Sequence, residues 1–260
     1  MKIRLQDILL LFTVTSVTVT SFAKASAMAE EPVKSESSID ENDPIEPFNR
    51  AIFSFNNGLD EYLLEPVAKG YDYVFPTPVK TGVNNFFENL GWPLYFVSDI
   101  LQFKFTQAAE HTGRFLVNTT AGVGGLIDVA KEIGLPRHYE DIGTAVGDWG
   151  VGEGPYLVLP FLGPSNVRDG LSRIPQTFLN PIFYVDNIPV TTGLFVTDLV
   201  DTRRTLIDAI DAGKKGSLDY YAFVRNSYRQ RRLALIYDGN IPEDARSEPV
   251  DPLDDPDVSK

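Results

Sequence analysis

Residues 43–59 carry large apolar side chains at strictly helical spacing, and this pattern constrains the fold more than any other stretch. Asp43-Pro44 is a helix-start signal, since an N-cap aspartate followed by proline suits the first turn. The apolar residues then recur at intervals of three and four, on one face of a helix: Ile45, Phe48, Ile52, Phe55 and Leu59. Asn49 and Asn56 border this stripe one heptad apart. The pattern predicts an amphipathic helix whose phenylalanines contact either a protein core or lipid.

Helical periodicity continues through most of the chain, whereas period-two alternation is scarce. The exception is residues 143–170, where glycine and proline are frequent. Ten of the 17 phenylalanines lie between residues 48 and 115, and neighbours such as Phe86 and Phe87 cannot share one narrow face. A helix that is apolar around much of its girth is either deeply buried or faces lipid. The sequence predicts a mainly α fold with a Gly/Pro-rich irregular middle.

Both ends of the chain differ from its middle. Residues 1–29 have a short basic start, a short apolar run and two A-x-A triplets, which predicts a secretory signal peptide. That run is shorter than the roughly 20 apolar residues of a membrane-spanning helix. Residues 30–42 and 241–260 are polar and acidic, which predicts a disordered linker and a disordered tail. One helical domain is expected over residues 43–240.

Charge and cysteine content exclude several classes of function. The formal net charge is −13, which disfavours nucleic acid as a partner and offers no basic face to anionic lipid. The chain has no cysteine and only two histidines, so disulfides, thiol catalysis and cysteine-based metal sites are excluded. We expect no metal and no cofactor.

Two motifs suggest chemistry, and each is open to a simpler explanation. Gly122, Gly124 and Gly125 resemble a dinucleotide-binding turn but lack the third glycine of G-x-G-x-x-G, so close helix packing or a hinge is favoured. The Glu140-Asp141 pair suits a hydrolase, although most such pairs are solvated or cap helices. No nucleophile stands in a recognised catalytic context. We therefore expect a protein that is not an enzyme.

Four arginines cluster near aromatic residues in the segment YYAFVRNSYRQRRLALIYDG. On a helix they spread over a broad polar face. They form either a solvated flank or a contact with lipid phosphates or an acidic partner. The four are Arg225, Arg229, Arg231 and Arg232.

Three longer motifs, in order along the chain, resemble the MlaA/VacJ family. They are NDPIEPFNR, then RFLVNTTAGVGGLIDVA, then GEGPYLVLPFLGPSNVRD. The resemblance extends from about residue 43 to residue 237. It implies a single helical, ring-like domain with a central amphipathic pore, embedded in the inner leaflet of the outer membrane.

The same resemblance implies a function without covalent chemistry. Members are outer-membrane components of an intermembrane phospholipid transport system that maintains lipid asymmetry. They remove mislocalised phospholipids from the outer leaflet and pass them to a soluble periplasmic carrier, with trimeric outer-membrane porins as partners. Many members carry an acylated cysteine after a lipobox, which this sequence lacks, so we expect its helices and a porin to hold it at the periplasmic face of the outer membrane. The alternatives are a soluble periplasmic binding or scaffold protein without a lipid channel, and a periplasmic hydrolase.

A lipid path needs polar groups for the headgroup and apolar groups for the tails, because burying an unpaired charge is costly. The polar candidates lie in or beside the family-like motifs: Asp128, Glu140, Asp141, Asp148, Glu153, Arg168 and Asp169. Candidates for the lipid-facing wall are Phe48, Phe55, Trp149, Tyr156, Leu157, Leu159 and Phe161. Gly122, Gly124 and Gly125 are candidate hinge or pore glycines before a mobile hairpin, which the resemblance places at about residues 131–141.

Overall fold

The computed structural model of the chain describes residues 43–242. The predicted signal peptide (1–29), the predicted linker (30–42) and residues 243–260 of the predicted tail lie outside this range.

The described part of the chain is mainly helical, as predicted. Its helices are α1 (Glu46–Leu59), α2 (Glu65–Val74), α3 (Thr77–Leu90), α4 (Trp92–Leu101), α5 (Phe105–Thr120), α6 (Val129–Glu132), α7 (Ile142–Asp148), α8 (Val167–Leu179), α9 (Ile188–Thr205), α10 (Ile207–Gly216) and α11 (Tyr220–Ile236). A π-helical turn (Asp60–Leu64) joins α1 to α2, and a 3₁₀ turn (Pro181–Tyr184) follows α8. The Gly/Pro-rich middle contains α7 and an antiparallel hairpin of β1 (Tyr156–Leu159) and β2 (Gly163–Asn166). Within residues 43–242, every helix is too short or too polar to cross a bilayer.

Helix α1 forms as its periodicity predicts, but Asp43 does not cap it. The helix begins at Glu46, and Ile45 occupies the N-cap without a side-chain hydrogen bond. The buried carboxylate of Asp43 instead accepts hydrogen bonds from Asn49 (2.7 Å) and from the hydroxyl of Tyr221. The capping prediction was wrong because tertiary partners hold Asp43 in the interior.

The phenylalanine stripe of α1 points outward and the asparagine row points inward. Phe48 is 58% exposed and Phe55 is also exposed, whereas Asn49 is fully buried. Asn49 donates to the carbonyl of Tyr156 (2.9 Å) and accepts from the amide of Val158 (2.9 Å). The apolar face of α1 therefore does not form a core.

Asn56 repeats this arrangement two helical turns further on. Its amide donates to the carbonyl of Leu159 (2.9 Å) and accepts from the N–H of Phe161 (2.8 Å). Leu159 is the last residue of β1 and Phe161 lies in the turn between β1 and β2, so Asn56 binds the turn. Together Asn49 and Asn56 form an asparagine clasp that joins α1 to the outer edge of β1 and to the turn that follows it.

The interior of the described chain is more polar than that of a typical soluble protein. Buried polar and charged residues outnumber buried apolar ones, and the main buried apolar cluster is only Tyr156, Val158 and Tyr221. Large apolar side chains instead lie exposed on several helices, including Phe105 and Leu116 on α5 and Ile188 and Val196 on α9. Charged groups are rarely buried unless they are paired, so this interior depends on ion pairs and hydrogen bonds.

Candidate functional site

Helix α8 shows most clearly that polar side chains are buried and apolar side chains are exposed in this protein. Its exposed face is apolar, with Leu171 at 63% exposure beside Ile174 and Phe178. Its buried face is polar: Arg168, Asp169, Ser172, Arg173, Gln176 and Thr177. An exposed apolar face marks an interaction with protein or membrane, while the polar face borders the interior.

Helices α7, α8 and α11 meet at one buried arginine. Arg232 donates to both oxygens of Asp141 (2.5 and 3.0 Å) and to Oδ1 of Asp169 (3.0 Å). The hydroxyl of Tyr228 donates to Oδ2 of Asp169 (2.5 Å). We call these four residues the Arg232 junction. The solvated-flank alternative is therefore wrong for Arg232, because its guanidinium is buried between two carboxylates.

Helix caps place both carboxylates of the junction. Asp141 is the N-cap of α7 and forms a capping box with Thr144, and Asn166 caps α8 by accepting from the N–H of Asp169 (2.7 Å). Both carboxylates thus lie where a helix dipole favours negative charge. Burial raises the pKa of Asp141, but the Arg232 guanidinium more than offsets this and holds the pKa below its usual range. Gly143 permits the approach, because a Cβ there would lie 2.6 Å from Oδ1 of Asp169.

A second cluster surrounds Asp128, the N-cap of α6. Its carboxylate accepts two hydrogen bonds from Arg114 (2.7 and 2.8 Å), one from Asn118 (3.0 Å) and one from Arg137 (2.7 Å). Burial acts to raise the pKa of Asp128, but the bonds from Asn118 and Arg114 hold it below the usual range. An adjacent pocket of about 30 Å³ is lined in part by Arg114, Asn118 and Arg137, and it is large enough to hold water.

Residues 135–141 do not form the expected hairpin. They run extended after α6 and bond to the surrounding helices at nearly every position. Arg137 pairs with Glu88 (2.7 Å), and His138 contacts Glu110 (2.8 Å). Glu140 accepts from Gln102 (2.8 Å), and burial raises its pKa. The hairpin placement was wrong because this segment finds its partners on α3–α5 and not on a second strand.

The Glu140-Asp141 pair does not have the arrangement of a hydrolytic site. Glu140 also accepts from Thr144 (2.8 Å) and Lys104 (3.0 Å), and Asp141 is held by Arg232 and its own helix. Both carboxylates are buried and bonded internally. They stabilise the packing of α4, α7 and α11 against one another.

The glycine run forms a tight turn after a helix, whereas a dinucleotide-binding turn follows a strand. Gly124 and Gly125 have φ of +69° and +92°, a region that favours glycine. A Cβ on Gly122 would lie 2.2 Å from the carbonyl oxygen of Ile127, and one on Gly125 would lie 2.7 Å from Asn89 on α3. These contacts favour the close-packing explanation of the run.

The predicted wall residues divide into three groups. Phe48, Phe55, Trp149 and Phe161 are exposed, and Leu157 and Leu159 are half-buried. Tyr156 is only 2% exposed and packs against Tyr221, so its placement on a lipid-facing wall was wrong. Successive strand residues point to opposite faces, which explains why Tyr156 and Leu157 differ.

The predicted polar residues are also dispersed. Asp141, Arg168 and Asp169 come together at or beside the Arg232 junction, where Arg168 contacts Asp169 (3.0 Å). Asp128 and Glu140 lie in the separate clusters described above. Glu153 pairs with Arg229 (3.2 Å) at partial exposure, and Asp148 is exposed.

The sequence prediction missed Arg173, Arg232 and Tyr228 as members of the polar interior. Arg232 belongs to the cluster of four arginines noted in the sequence, and that cluster was a signal from which its role could have been predicted. Arg173 and Tyr228 carry no local signal, because their environment comes from contacts between helices.

These features define a class of protein. It is helical, with an ion-paired polar interior and an apolar outer surface, and none of its helices over residues 43–242 crosses a bilayer. The chain belongs to the MlaA lipoprotein family, whose model matches residues 41–235.

Individual relatives agree with this assignment. The chain is 36% identical over 205 residues to the intermembrane phospholipid transport system lipoprotein MlaA of Escherichia coli K12, covering 77% of this chain and 80% of that protein. It is also 36% identical over 201 residues to an uncharacterised protein of Rickettsia felis, covering 76% and 80%. A solved structure from work on the structural basis for maintenance of bacterial outer membrane lipid asymmetry matches with a TM-score of 0.66 and 35% identity, covering 75% of this chain and 98% of that one.

Proposed function

We propose that this protein is the outer-membrane component of an intermembrane phospholipid transport system. It removes mislocalised phospholipids from the outer leaflet and so maintains lipid asymmetry. The names of its relatives support this role. The single structural observation that carries it is the inversion of polarity, with ion pairs inside and large apolar side chains outside.

This inversion suits a protein that lies in one leaflet of a bilayer. A soluble protein rarely exposes contiguous apolar patches of more than a few hundred Å². Here exposed apolar residues occur on α1, α5, α8 and α9. Lipid tails contact such a surface without cost, whereas a headgroup needs the polar interior. We infer that the helices surround a central amphipathic pore along which a phospholipid passes.

The proposed partners follow from this path. A trimeric outer-membrane porin borders part of the apolar surface and holds the protein at the periplasmic face, and a soluble periplasmic carrier receives the lipid. The protein moves lipid without making or breaking a covalent bond. We propose that Asp148 and Glu153, which are the accessible members of the predicted polar set, contact headgroups directly, while Asp141 and Asp169 hold α7 and α8 in position.

Membrane retention is the first test. The full-length chain is produced in a bacterial strain that lacks its own member of this family, and the outer membrane is washed with alkaline carbonate. We expect the protein to remain in the membrane. Phe48→Gln should weaken retention, whereas Ser54→Gln, an exposed position on the same helix, should not. Release of the unchanged protein would refute the embedded arrangement and favour a soluble periplasmic binding or scaffold protein.

Surface lipid is the second test. Phospholipid on intact cells is measured by the fatty acid that an added phospholipase releases. Cells that produce the protein should release less fatty acid than cells carrying an empty vector. If a correctly located and folded protein leaves the release unchanged, the transport proposal is wrong.

A further inference from the structure

The two histidines of the chain meet where residues 135–141 lie against α4 and α5. We call residues 135–141 the strap, because they run extended between α6 and α7. His111 of α5 is 5% exposed and stacks on Tyr95 of α4, with 5.2 Å between the ring centroids. Its Nε2 atom lies 3.2 Å from the main-chain carbonyl oxygen of His138, and its Nδ1 atom lies 2.5 Å from Oδ2 of Asp99. His111 therefore links the strap to a carboxylate of α4.

These two contacts of His111 require an additional proton. A carbonyl oxygen only accepts hydrogen bonds, so Nε2 of His111 carries a proton. An ionised carboxylate also only accepts, so a second proton lies either on Nδ1 of His111 or on Asp99. In both cases the pair holds one proton more than a neutral imidazole and an ionised carboxylate hold together. Asp99 is fully buried, so water does not replace this hydrogen bond.

Loss of the additional proton leaves His111 with one donor for two acceptors. The remaining proton goes to Nδ1, because a hydrogen bond to an ionised carboxylate is about twice as strong as one to a carbonyl. Asp99 also has no alternative donor among residues 43–242, where its Oδ1 atom is buried without a partner. The lone pair of Nε2 then faces the carbonyl oxygen of His138. The contact between α5 and the strap changes from a hydrogen bond to a repulsion.

The charged side chains that line a pocket with His111 or lie on the strap each have a partner. The pairs are Glu88–Arg137 (2.7 Å), Arg114–Asp128 (2.7 Å), Glu110–His138 (2.8 Å), Lys104–Glu140 (3.0 Å) and Arg232–Asp141 (2.5 Å). Tyr139 donates its hydroxyl proton to Glu88 (3.1 Å). Tyr95 stays neutral, because burial raises its pKa well above the usual range. Asp99 is therefore the carboxylate that determines which ring nitrogen of His111 keeps its proton.

We propose that His111 and Asp99 form a proton-dependent latch on the strap. With the additional proton, His111 donates to both Asp99 and the carbonyl of His138, and the strap is held against α5. Without it, His111 donates to Asp99 alone, and the middle of the strap is released. The latch is closed at low pH and opens as the pH rises. This inference does not rest on the transport proposal, which the surface-lipid assay tests separately.

Selective labelling of histidine reports on both ends of the latch. The full-length protein is purified in non-ionic detergent without a histidine tag, with ¹⁵N in its histidine rings and ¹³C at the histidine carbonyls. Because the chain has only two histidines, His138→Gln assigns the signals of His111. The nitrogen shifts show which ring atoms carry protons, and the carbonyl shift of His138 shows whether it accepts a hydrogen bond. Spectra are recorded between about pH 5 and about pH 10, on both sides of the ordinary histidine pKa of about 6.5.

At the lower end of this range, we expect a proton on Nε2 of His111 and a hydrogen-bonded carbonyl at His138. At the upper end, the proton should remain on Nδ1 alone, and the carbonyl signal should move to its unbonded position. Asp99→Asn should abolish the change, because an amide can donate to Nδ1 and so leaves the proton of a neutral ring on Nε2. Glu110→Gln is the matched control, since it removes a neighbouring carboxylate and leaves the His111–Asp99 pair intact.

Three results would overturn the latch. The first is a proton that stays on Nε2 of His111 throughout the range in the unchanged protein. The second is a carbonyl signal of His138 that does not follow the loss of that proton. The third is the same pH response in Asp99→Asn as in the unchanged protein. The tautomer of His111 in the unchanged protein is decisive even if Asp99→Asn does not fold.

Discussion

Replacing Asn49 with alanine should be one of the most destabilising single changes in the described chain. The side chain is fully buried and makes three hydrogen bonds, to Asp43, to the carbonyl of Tyr156 and from the amide of Val158. Each bond contributes about 1 kcal/mol, and a buried group left unpaired costs about 1–3 kcal/mol. The expected loss is about 3–5 kcal/mol, a large part of the 5–15 kcal/mol typical of a domain.

Urea unfolding in non-ionic detergent measures this loss through the fluorescence of Trp92 and Trp149. With a slope of about 2 kcal/mol per molar urea, the midpoint should fall by roughly 2 M. Asn57→Ala is the matched control, because Asn57 lies on the same helix and bonds only to the exposed Glu61 (3.0 Å), so its effect should stay within about 0.5 kcal/mol. Equal midpoints for the two variants would refute the asparagine clasp.

Three further changes test other parts of the fold. Gly143→Ala should destabilise by about 1–3 kcal/mol in the same urea assay, because its Cβ would meet Asp169 and Arg232, whereas Gly193→Ala, with open space around it, should be neutral or stabilising. The pKa of Asp128 is lower in the folded protein than in the unfolded chain, so the charged carboxylate stabilises the fold above the unfolded pKa of about 3.9. This stabilisation is lost as the pH falls through the pKa of Asp128 in the folded protein. Urea midpoints between pH 7 and pH 3 should therefore fall less steeply in Asp128→Asn, which is already destabilised at pH 7. Leu171→Gln should weaken retention in carbonate-washed membranes without lowering the urea midpoint, because its side chain is exposed.

Helix positions were predictable because periodicity is a local property of the chain. The stripe from Ile45 to Leu59 predicted α1, and the scarcity of alternation predicted a mainly helical fold. Periodicity shows which residues share a face, but it does not show what that face contacts. Both a core and a lipid contact remained open for Phe48 and Phe55, and the structure places them on the surface.

Other features depend on contacts between distant segments and had no local signal. Asp43 precedes a proline as helix-capping residues often do, yet its carboxylate accepts hydrogen bonds from Tyr221 and Arg225 in the interior. Tyr156 lies on a strand of four residues, too short for alternation to reveal which side is buried. Arg173 is one arginine in a polar helix, and nothing in its neighbourhood along the chain predicts that its Nε and Nη1 atoms are buried without a hydrogen-bond partner among residues 43–242.

The asparagine clasp also determines what borders the outer edge of β1 in the two-stranded sheet. A two-stranded sheet has free N–H and C=O groups along its outer edges, and such an edge invites pairing with another chain. Here Asn49 occupies groups of β1 that face away from β2, namely the carbonyl of Tyr156 and the N–H of Val158, which lies opposite Pro164 in the strand register. The side chain of Asn49 on α1 thus takes the place of a third strand at this edge. That edge is closed to strand addition, so crowding of many copies in one membrane should not lead to association through β1.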